Sequence, residues 1–250
     1  SWIYNPNYFS NTTQQASFAN HTAAYPSRPK DMWELGISGG TSFMFTPIDP
    51  RFGWGAGLSL RKSLGHVFSL RVGYNYSQNK GQDYRLRDAS QLGAASGIVG
   101  SQFLANYRTT MHQGSVDLIA SLNSISPYRG NPKVNFYALV GYSFLMGKVE
   151  SNLLNGSSPY AWDASKFTGS RSDIRSYVKS VLDNSYETNL SGNRNDTRED
   201  AIGNKNYNVK HGMDAGIGVA FRVSPHFNIG IEQKFTYAFD NGTYSGLVFA

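Results

Sequence analysis

The sequence predicts an all-β protein, a transmembrane antiparallel up-and-down β-barrel. Eight strands are expected, seven of them visible as alternating segments, with long outer loops that hold one short helix. First, apolar residues alternate with small or polar residues in all seven segments. Second, the segments run for about 10 residues or more, the length of a tilted strand that crosses a bilayer, whereas strands of soluble sheets average about 5–6. Third, 14% of the residues are aromatic and only 16% are charged, while soluble domains carry about 25%.

The alternating segments are, in chain order, residues 33–45, 54–60, 67–76, 112–122, 134–147, 209–223 and 227–239. The fifth is the least regular, because Tyr137, Leu139 and Leu145 fall on its otherwise polar face. Seven strands cannot close an antiparallel barrel, so residues 244–250 are expected to begin an incomplete eighth strand. On this view the sequence is a fragment, or a neighbouring chain covers the edge. The expected domains are an N-terminal leader (1–31) and a barrel (32–250).

The connecting segments set the expected orientation. They comprise residues 46–53, 63–66, 77–110, 123–133, 148–208 and 224–226, and after the first they alternate between short and long. Outer-membrane barrels have short periplasmic turns and longer outer loops, which places the N-terminus and the leader in the periplasm. Within the longest loop, residues 172–182 repeat apolar side chains at helical spacing. We expect an ordered helix there, with Ile174, Val178 and Val181 covered.

The apolar faces predict which side chains point outward. Those expected to face lipid or a partner are Ile37, Leu58, Val72, Leu118, Ile217 and Ile231. Aromatic residues bracket these faces, as the girdles of outer-membrane barrels do. One girdle comprises Trp33, Phe68, Phe136, Phe221 and Phe227, and the other Phe45, Trp54, Tyr76, Phe144 and Tyr237. A soluble β-sandwich also alternates, but the polar faces here hold Gly, Ser and full charges, which favours a narrow barrel lumen.

Charged residues recur on the faces expected to line the lumen. They are Glu34, Arg61, Arg71, Asp117, Lys210, Asp214, Arg222, Glu232 and Lys234. Because unpaired charge is costly in a poorly hydrated lumen, we expect ion pairs that plug it. Counting along the strands places Glu34, Arg61, Arg71, Asp117, Arg222 and Glu232 together in the periplasmic half. A switchable gate or proton path is the alternative to a static plug.

Other classes of function find little support. The formal charge is +6, but no Lys/Arg run exceeds a pair, so nucleic-acid binding is not expected. The five histidines are scattered without triad-like or metal-ligand spacing, so we expect no catalytic residue, metal or cofactor. An outer-membrane barrel enzyme stays an alternative, since triads can assemble across strands. Basic residues of the outer loops are candidates for contact with lipopolysaccharide phosphates. They are Lys80, Arg85, Arg87, Arg108, Lys148 and Lys205.

Residues 31–241 resemble the N-terminal barrel of OmpA-family outer-membrane proteins. The resemblance rests on the strand and loop pattern and on the stretches VNFYALVGY (134–142), YET (186–188) and AGIGVAFRVSP (215–225). It implies the outer membrane of a Gram-negative bacterium. It also implies peptidoglycan tethering through a C-terminal domain that these 250 residues do not contain. The expected role is a non-catalytic envelope anchor that contacts outer-membrane lipid and other outer-membrane proteins. The alternatives are an accessory subunit of a transport or secretion complex, and a small porin-like channel.

Overall fold

A computed structural model describes residues 11–27, 33–45, 49–88, 102–125, 133–189, 208–224, 226–239 and 247–249. Within them the protein is built from antiparallel strands with few helices, as predicted. The elements in chain order are α1 (Thr12–Ala19), β1 (Trp33–Phe45), β2 (Pro50–Ser63), β3 (Phe68–Asp88), β4 (Gln102–Ser121), β5 (Val134–Ser151), β6 (Leu154–Asn155), β7 (Ser158–Pro159), α2 (Arg171–Val181), β8 (Thr188–Asn189), β9 (Asn208–Ser224), β10 (Phe227–Phe239) and β11 (Leu247–Phe249). No helix in these described ranges is long and apolar enough to cross a membrane.

The strand pairings run in a cycle. Hydrogen-bonded neighbours follow the order β4-β3-β2-β1-β11-β10-β9-β5, and β5 also pairs with β4. Each strand in this order is antiparallel to the strands on either side of it. β11 pairs with β1 through Phe43↔Phe249 and with β10 through Phe235↔Phe249. β11 lies within residues 244–250, where the sequence predicted the beginning of a further strand, and three of its residues are described.

Several strands extend farther than the sequence predicted. The segments at 77–110 and 148–208 were assigned to loops, but β3 continues to Asp88, β4 begins at Gln102 and β5 ends at Ser151. Likewise, β2 begins at Pro50, inside the predicted connection 46–53. The alternation disappears because the residues on the outer face become polar, as at Gln78 and Lys80, while the backbone stays extended and paired. We call this part the distal segment: 77–88 of β3, 102–110 of β4, and residues 148–187.

The two faces of the curled sheet are inverted relative to a soluble protein. We call the face enclosed by the cycle the inner face and the opposite one the outer face. On the outer face Ile37 is 83% exposed and Ile231 is 72% exposed. On the inner face Asp117 is fully buried, and Asp214 and Lys234 are nearly so. Apolar side chains thus point away from the enclosed space, while the charged ones fill it.

The described part of the leader lies at the short-turn end of the sheet. Asn11 caps α1 by accepting a hydrogen bond from the Gln14 amide. The buried Gln15 side chain accepts from the Ser27 amide at 3.0 Å. The ring of Tyr25 stacks on His66, in the turn between β2 and β3, with ring centroids 5.7 Å apart. That the leader is periplasmic stays a prediction.

Candidate functional site

The inner face carries a connected set of ion pairs with Arg71 at its centre. The two terminal nitrogens of Arg71 donate to the two carboxylate oxygens of Glu232 at 2.7 and 2.8 Å. Its Nε and Nη2 donate to Asp117 Oδ2 at 3.1 and 3.0 Å. One guanidinium on β3 therefore joins a carboxylate on β4 to another on β10. Bidentate geometry of this kind is the strongest arrangement available to an Arg–carboxylate pair.

Lys234 extends the set toward the long-loop end. Its Nζ lies 3.2 Å from Asp117 and 2.9 Å from Asp214, and it donates to Ser115 Oγ at 3.1 Å. The sequence count placed Lys234 and Asp214 apart from the six periplasmic-half charges. The structure instead joins them to that group through Asp117. A buried ammonium with two carboxylates and a hydroxyl around it has its charge and its donors satisfied.

Neutral side chains complete the coordination of Asp214. Its carboxylate accepts from Thr236 Oγ1 at 2.6 Å, from Gln113 Nε2 at 3.3 Å, and from the Ser143 hydroxyl. Gln113 also donates to Ser143 at 2.7 Å. Sequence analysis did not single out these three residues. The sequence does carry one signal for them, because each falls at one of the alternate positions of its strand that point to the inner face.

The short-turn end of the inner face holds a more open pair. Arg61 donates to Glu34, whose side chain is 43% exposed, and Asn228 donates to the same carboxylate at 3.5 Å. The cross-strand register places Glu34 directly opposite Arg61. Arg222 and Lys210, also predicted to face the lumen, are half-buried on β9. The interactions set out above contain three cations (Arg61, Arg71 and Lys234) and four carboxylates (Glu34, Asp117, Asp214 and Glu232).

Glycines and apolar residues shape the space around these charges. A Cβ at Gly141 would overlap the Asp117 carboxylate, so only glycine leaves room for that side chain. Gly218 likewise makes room for the ring of Tyr137, whose hydroxyl donates to Glu232 at 2.8 Å. Tyr137, Leu139 and Ile119 form a buried cluster. The irregular fifth segment thus placed large side chains inside the sheet, where they fill volume beside the ion pairs.

The outer face presents the residues that were predicted to face lipid. All six are exposed, from 41% for Leu118 to 83% for Ile37. Of the predicted girdle residues, Tyr76 and Phe144 are half-buried, the side chain of Phe45 lies outside the described residues, and the others are exposed. Two Tyr–His pairs lie among the aromatics of the long-loop side. The hydroxyls of Tyr74 and Tyr142 are each 2.6 Å from a histidine ring nitrogen, of His112 and His211 respectively.

The distal segment has a small apolar core of its own. Ile174 and Val178 of α2 are buried against Leu104 of β4, with Tyr84 and Leu86 of β3 alongside. Ser170 caps the helix by accepting from the Asp173 amide. The predicted helix is confirmed, and its Ile174/Val178 face is covered. Val181 is half-buried.

A polar cluster fixes the chain after α2. Asp183 accepts from Tyr160 at 2.7 Å and from Asn152 at 3.0 Å. It also accepts from the amide of Ser185 at 3.0 Å. These hydrogen bonds, the Ser185 amide first, lower the pKa of Asp183 to about 2. Glu187 accepts from the amides of Leu153 and Leu154, and its pKa is also below the ordinary value although burial opposes the shift.

The described part of the chain contains no group of three His, Asp or Glu side chains placed to hold a metal ion. No protein-family model matches the sequence, and no curated protein matches it. Among solved structures, the chain is similar to Ail, the attachment invasion locus protein of Yersinia pestis, in complex with the heparin analogue sucrose octasulfate. The identity is 13%, the match covers 87% of this chain and 91% of that chain, and the TM-score is 0.37.

Proposed function

We propose that the chain is an eight-stranded β-barrel of the outer membrane of a Gram-negative bacterium, where it has a structural, non-catalytic role. The observation that carries the proposal is the inversion of the sheet. Ile37, Ile217 and Ile231 are between 65% and 83% exposed, whereas Asp117, Asp214 and Lys234 are buried. In water, so large a continuous apolar surface would be an aggregation site. In lipid the same surface is the favourable one, and a cycle of paired strands satisfies the backbone hydrogen bonds.

The same proposal includes a plugged lumen. The ion pairs of Arg71 and Lys234 span β3, β4, β9 and β10, and Tyr137, which donates to Glu232, packs with Ile119 and Leu139 beside them. An ion that entered would have to displace paired, buried charges, which is costly. This argument favours a plug over a small channel. Attachment to peptidoglycan, the periplasmic N-terminus and association with other outer-membrane proteins stay predictions from the sequence.

Tryptophan fluorescence in brominated lipid tests the membrane placement. We would prepare two single-tryptophan variants, one retaining Trp54 of the outer face and the other retaining Trp162 of the distal segment, with the other tryptophans replaced by Phe. Bromine on the acyl carbons nearest the headgroup should quench Trp54 strongly, because girdle aromatics lie at that level, and should leave Trp162 almost unchanged. Equal quenching of the two, or none in either, would contradict the proposal.

Planar-bilayer conductance of the purified protein tests the plug. We expect no steady large conductance from the wild type. Asp117→Ala, which removes the shared partner of Arg71 and Lys234, should raise the frequency of openings. Glu34→Gln, at the exposed end of the same set, should leave the conductance unchanged. A steady porin-like conductance of the wild type would refute the plug without refuting the membrane placement.

A further inference from the structure

A row of basic residues crosses the outer face of the sheet, from β2 to the start of the distal segment. Arg51 of β2 lies opposite Lys80 of β3, and Lys80 lies opposite Arg108 of β4. Lys148 follows on β5, where it forms an ion pair with Glu150, the residue opposite Arg108. We call Arg51, Lys80, Arg108 and Lys148 the basic row. Only the extended strands bring these residues together, because the predicted loops would have left them scattered.

The basic row has an excess of positive charge. Glu150 accepts from Arg108 at 2.7 Å and is shared with Lys148, so four cations and one carboxylate leave a net charge of +3. Among the described residues no carboxylate lies within ion-pair distance of Arg51 or Lys80. Burial and the nearby Arg175 of α2 lower the pKa of Arg51. Like charges directly opposite one another destabilise a sheet, so an anion bound across Arg51, Lys80 and Arg108 would relieve repulsion between them.

A constrained tyrosine reinforces the row. The ring of Tyr186 lies 4.6 Å from the Arg108 guanidinium and 5.7 Å from the Lys80 ammonium. Tyr186 has a φ of 51°, a left-handed conformation that is unusual for a bulky residue. Its neighbours Ser185 and Glu187 are held by hydrogen bonds to Asp183 and to the Leu153 and Leu154 amides. Tyr186 thus places an aromatic face against two cations from a backbone conformation that is strained for tyrosine.

The distance of the basic row from the girdle aromatics, along the membrane normal, indicates which layer of the membrane the row faces. Tyr76 and His112 have contacting rings on the outer face, and Lys80 and Arg108 lie four residues beyond them on the same face. Four residues correspond to roughly 13 Å along a strand, or about 9 Å along the membrane normal for a strand tilted by about 45°. Girdle aromatics sit at the level of the lipid headgroups. The row therefore faces sideways into the polar headgroup layer of the outer leaflet.

We propose that the basic row binds the phosphorylated headgroup of an outer-leaflet glycolipid. The inference rests on the proposed membrane placement and deepens it by naming a lipid site. Arg is well suited to this role because its planar guanidinium donates two parallel hydrogen bonds to phosphate. Of the six basic residues predicted to contact lipopolysaccharide, three belong to the row: Lys80, Arg108 and Lys148. Arg87 pairs with Asp83 outside the row, Arg85 is exposed away from it, and Lys205 lies outside the described residues.

Lipid retention in nanodiscs tests the proposal. The wild type would be placed in phosphatidylcholine discs containing either bisphosphorylated lipid A or its dephosphorylated form, and bound glycolipid counted by native mass spectrometry. We expect retention of the phosphorylated form only. A variant carrying Arg51→Gln, Lys80→Gln and Arg108→Gln should reduce retention by roughly tenfold or more, since each basic residue near an anionic surface adds measurably to binding. The matched control replaces Arg85, Lys166 and Lys179, which are exposed and off the row, with Gln.

The outcomes separate the possible explanations. If the row variant and the control variant lost equal amounts of bound lipid A, retention would depend on the overall positive charge of the protein. That result would overturn the proposal. Glu150→Gln should increase retention, an effect of opposite sign that misfolding cannot produce. Inorganic phosphate at matched concentration should not compete; full competition would mean a free-anion site and no lipid specificity. Insertion into discs without any preference for lipid A would refute this site alone, whereas failure to insert would refute the membrane placement.

Discussion

The part of the sheet that we propose to lie at membrane level, such as 68–76 of β3, and the distal segment share the same strands but follow opposite rules of burial. From Phe68 to Tyr74, the outer face of β3 presents exposed apolar side chains. Farther along the same face, Tyr84 and Leu86 are packed under α2. At the membrane level the charges are inside, around Arg71. In the distal segment apolar side chains of the outer face are buried under α2 and charged side chains such as Arg85 are exposed, as in a soluble domain.

The difference teaches that the surroundings, and not the strand, decide which face carries apolar residues. β3 and β4 remain paired, antiparallel strands throughout, from Phe68↔Ala120 to Asp88↔Gln102. What changes along them is the medium that we propose outside the sheet, from lipid to water. Above the girdle, an apolar outer face needs a covering element, and α2 supplies it. Below the girdle, lipid would replace the covering element under the proposed membrane placement.

The largest effect should come from breaking the inner ion pairs. Asp117→Ala would leave Arg71 and Lys234 buried without their shared partner, and loss of one member of a buried pair costs about 3–5 kcal/mol. We expect the free energy of unfolding in lipid vesicles to fall by that amount, measured by urea titration. Glu34→Gln, at the half-exposed pair with Arg61, should cost less than about 1 kcal/mol. Equal effects would mean that the interior is hydrated.

A charge on the outer face should be next in size. Ile217→Arg places a guanidinium at the lipid-facing surface, which costs about 2–4 kcal/mol near the bilayer midplane. Gln78→Arg, on the outer face of β3 just beyond the girdle, should cost about 0–1 kcal/mol. The same vesicle unfolding assay measures both. If the two substitutions were equally tolerated, lipid would not be the medium that separates the two regions.

Removing packing from the distal core should have a smaller and more local effect. Val178 is 1% exposed, and Val178→Ala removes two methyl groups at roughly 0.8 kcal/mol each, or about 1–2 kcal/mol. Hydrogen exchange should show faster opening of α2, with the unfolding of the membrane-level strands unchanged. Lys179→Ala, on the exposed face of the helix, is the control. If Val178→Ala also accelerated hydrogen exchange in the membrane-level strands, the two regions would form one cooperative unit.

The smallest effect concerns pH and is confined to the loop after α2. Because the pKa of Asp183 is lowered from 3.8 to about 2, its contribution to the folded loop is fully present above the ordinary pKa. It is lost as the pH falls through about 2. Protection of the Ser185 amide, which donates to Asp183, should therefore decline between about pH 4 and pH 2. In Asp183→Asn that protection should not change with pH over the same range; a wild-type profile that is equally flat would exclude this carboxylate as the cause.

Alternation in the sequence determined the antiparallel all-β architecture and which face of each strand carries the apolar side chains. Parity is a local property, since a shift of one residue would invert every side chain. Helical spacing of apolar residues is also a local property, and it predicted α2. A helix this short is stable only when its apolar face is covered. The strand ends were not predictable in this way. Beyond Tyr76 the outer residues turn polar, so the pattern stops while the hydrogen-bonded ladder continues.

Only the tertiary structure decided which charges meet. Arg71 and Glu232 are 161 residues apart in the chain, and Lys234 reaches Asp117 across the enclosed space, from β10 to β4. Parity assigns a side chain to a face, but the register between strands and the curvature of the sheet determine its distance to any other side chain. The same holds for the basic row, whose members are joined by the ladders of the distal segment. Closure of the sheet supplies those distances, and no periodicity along the chain encodes them.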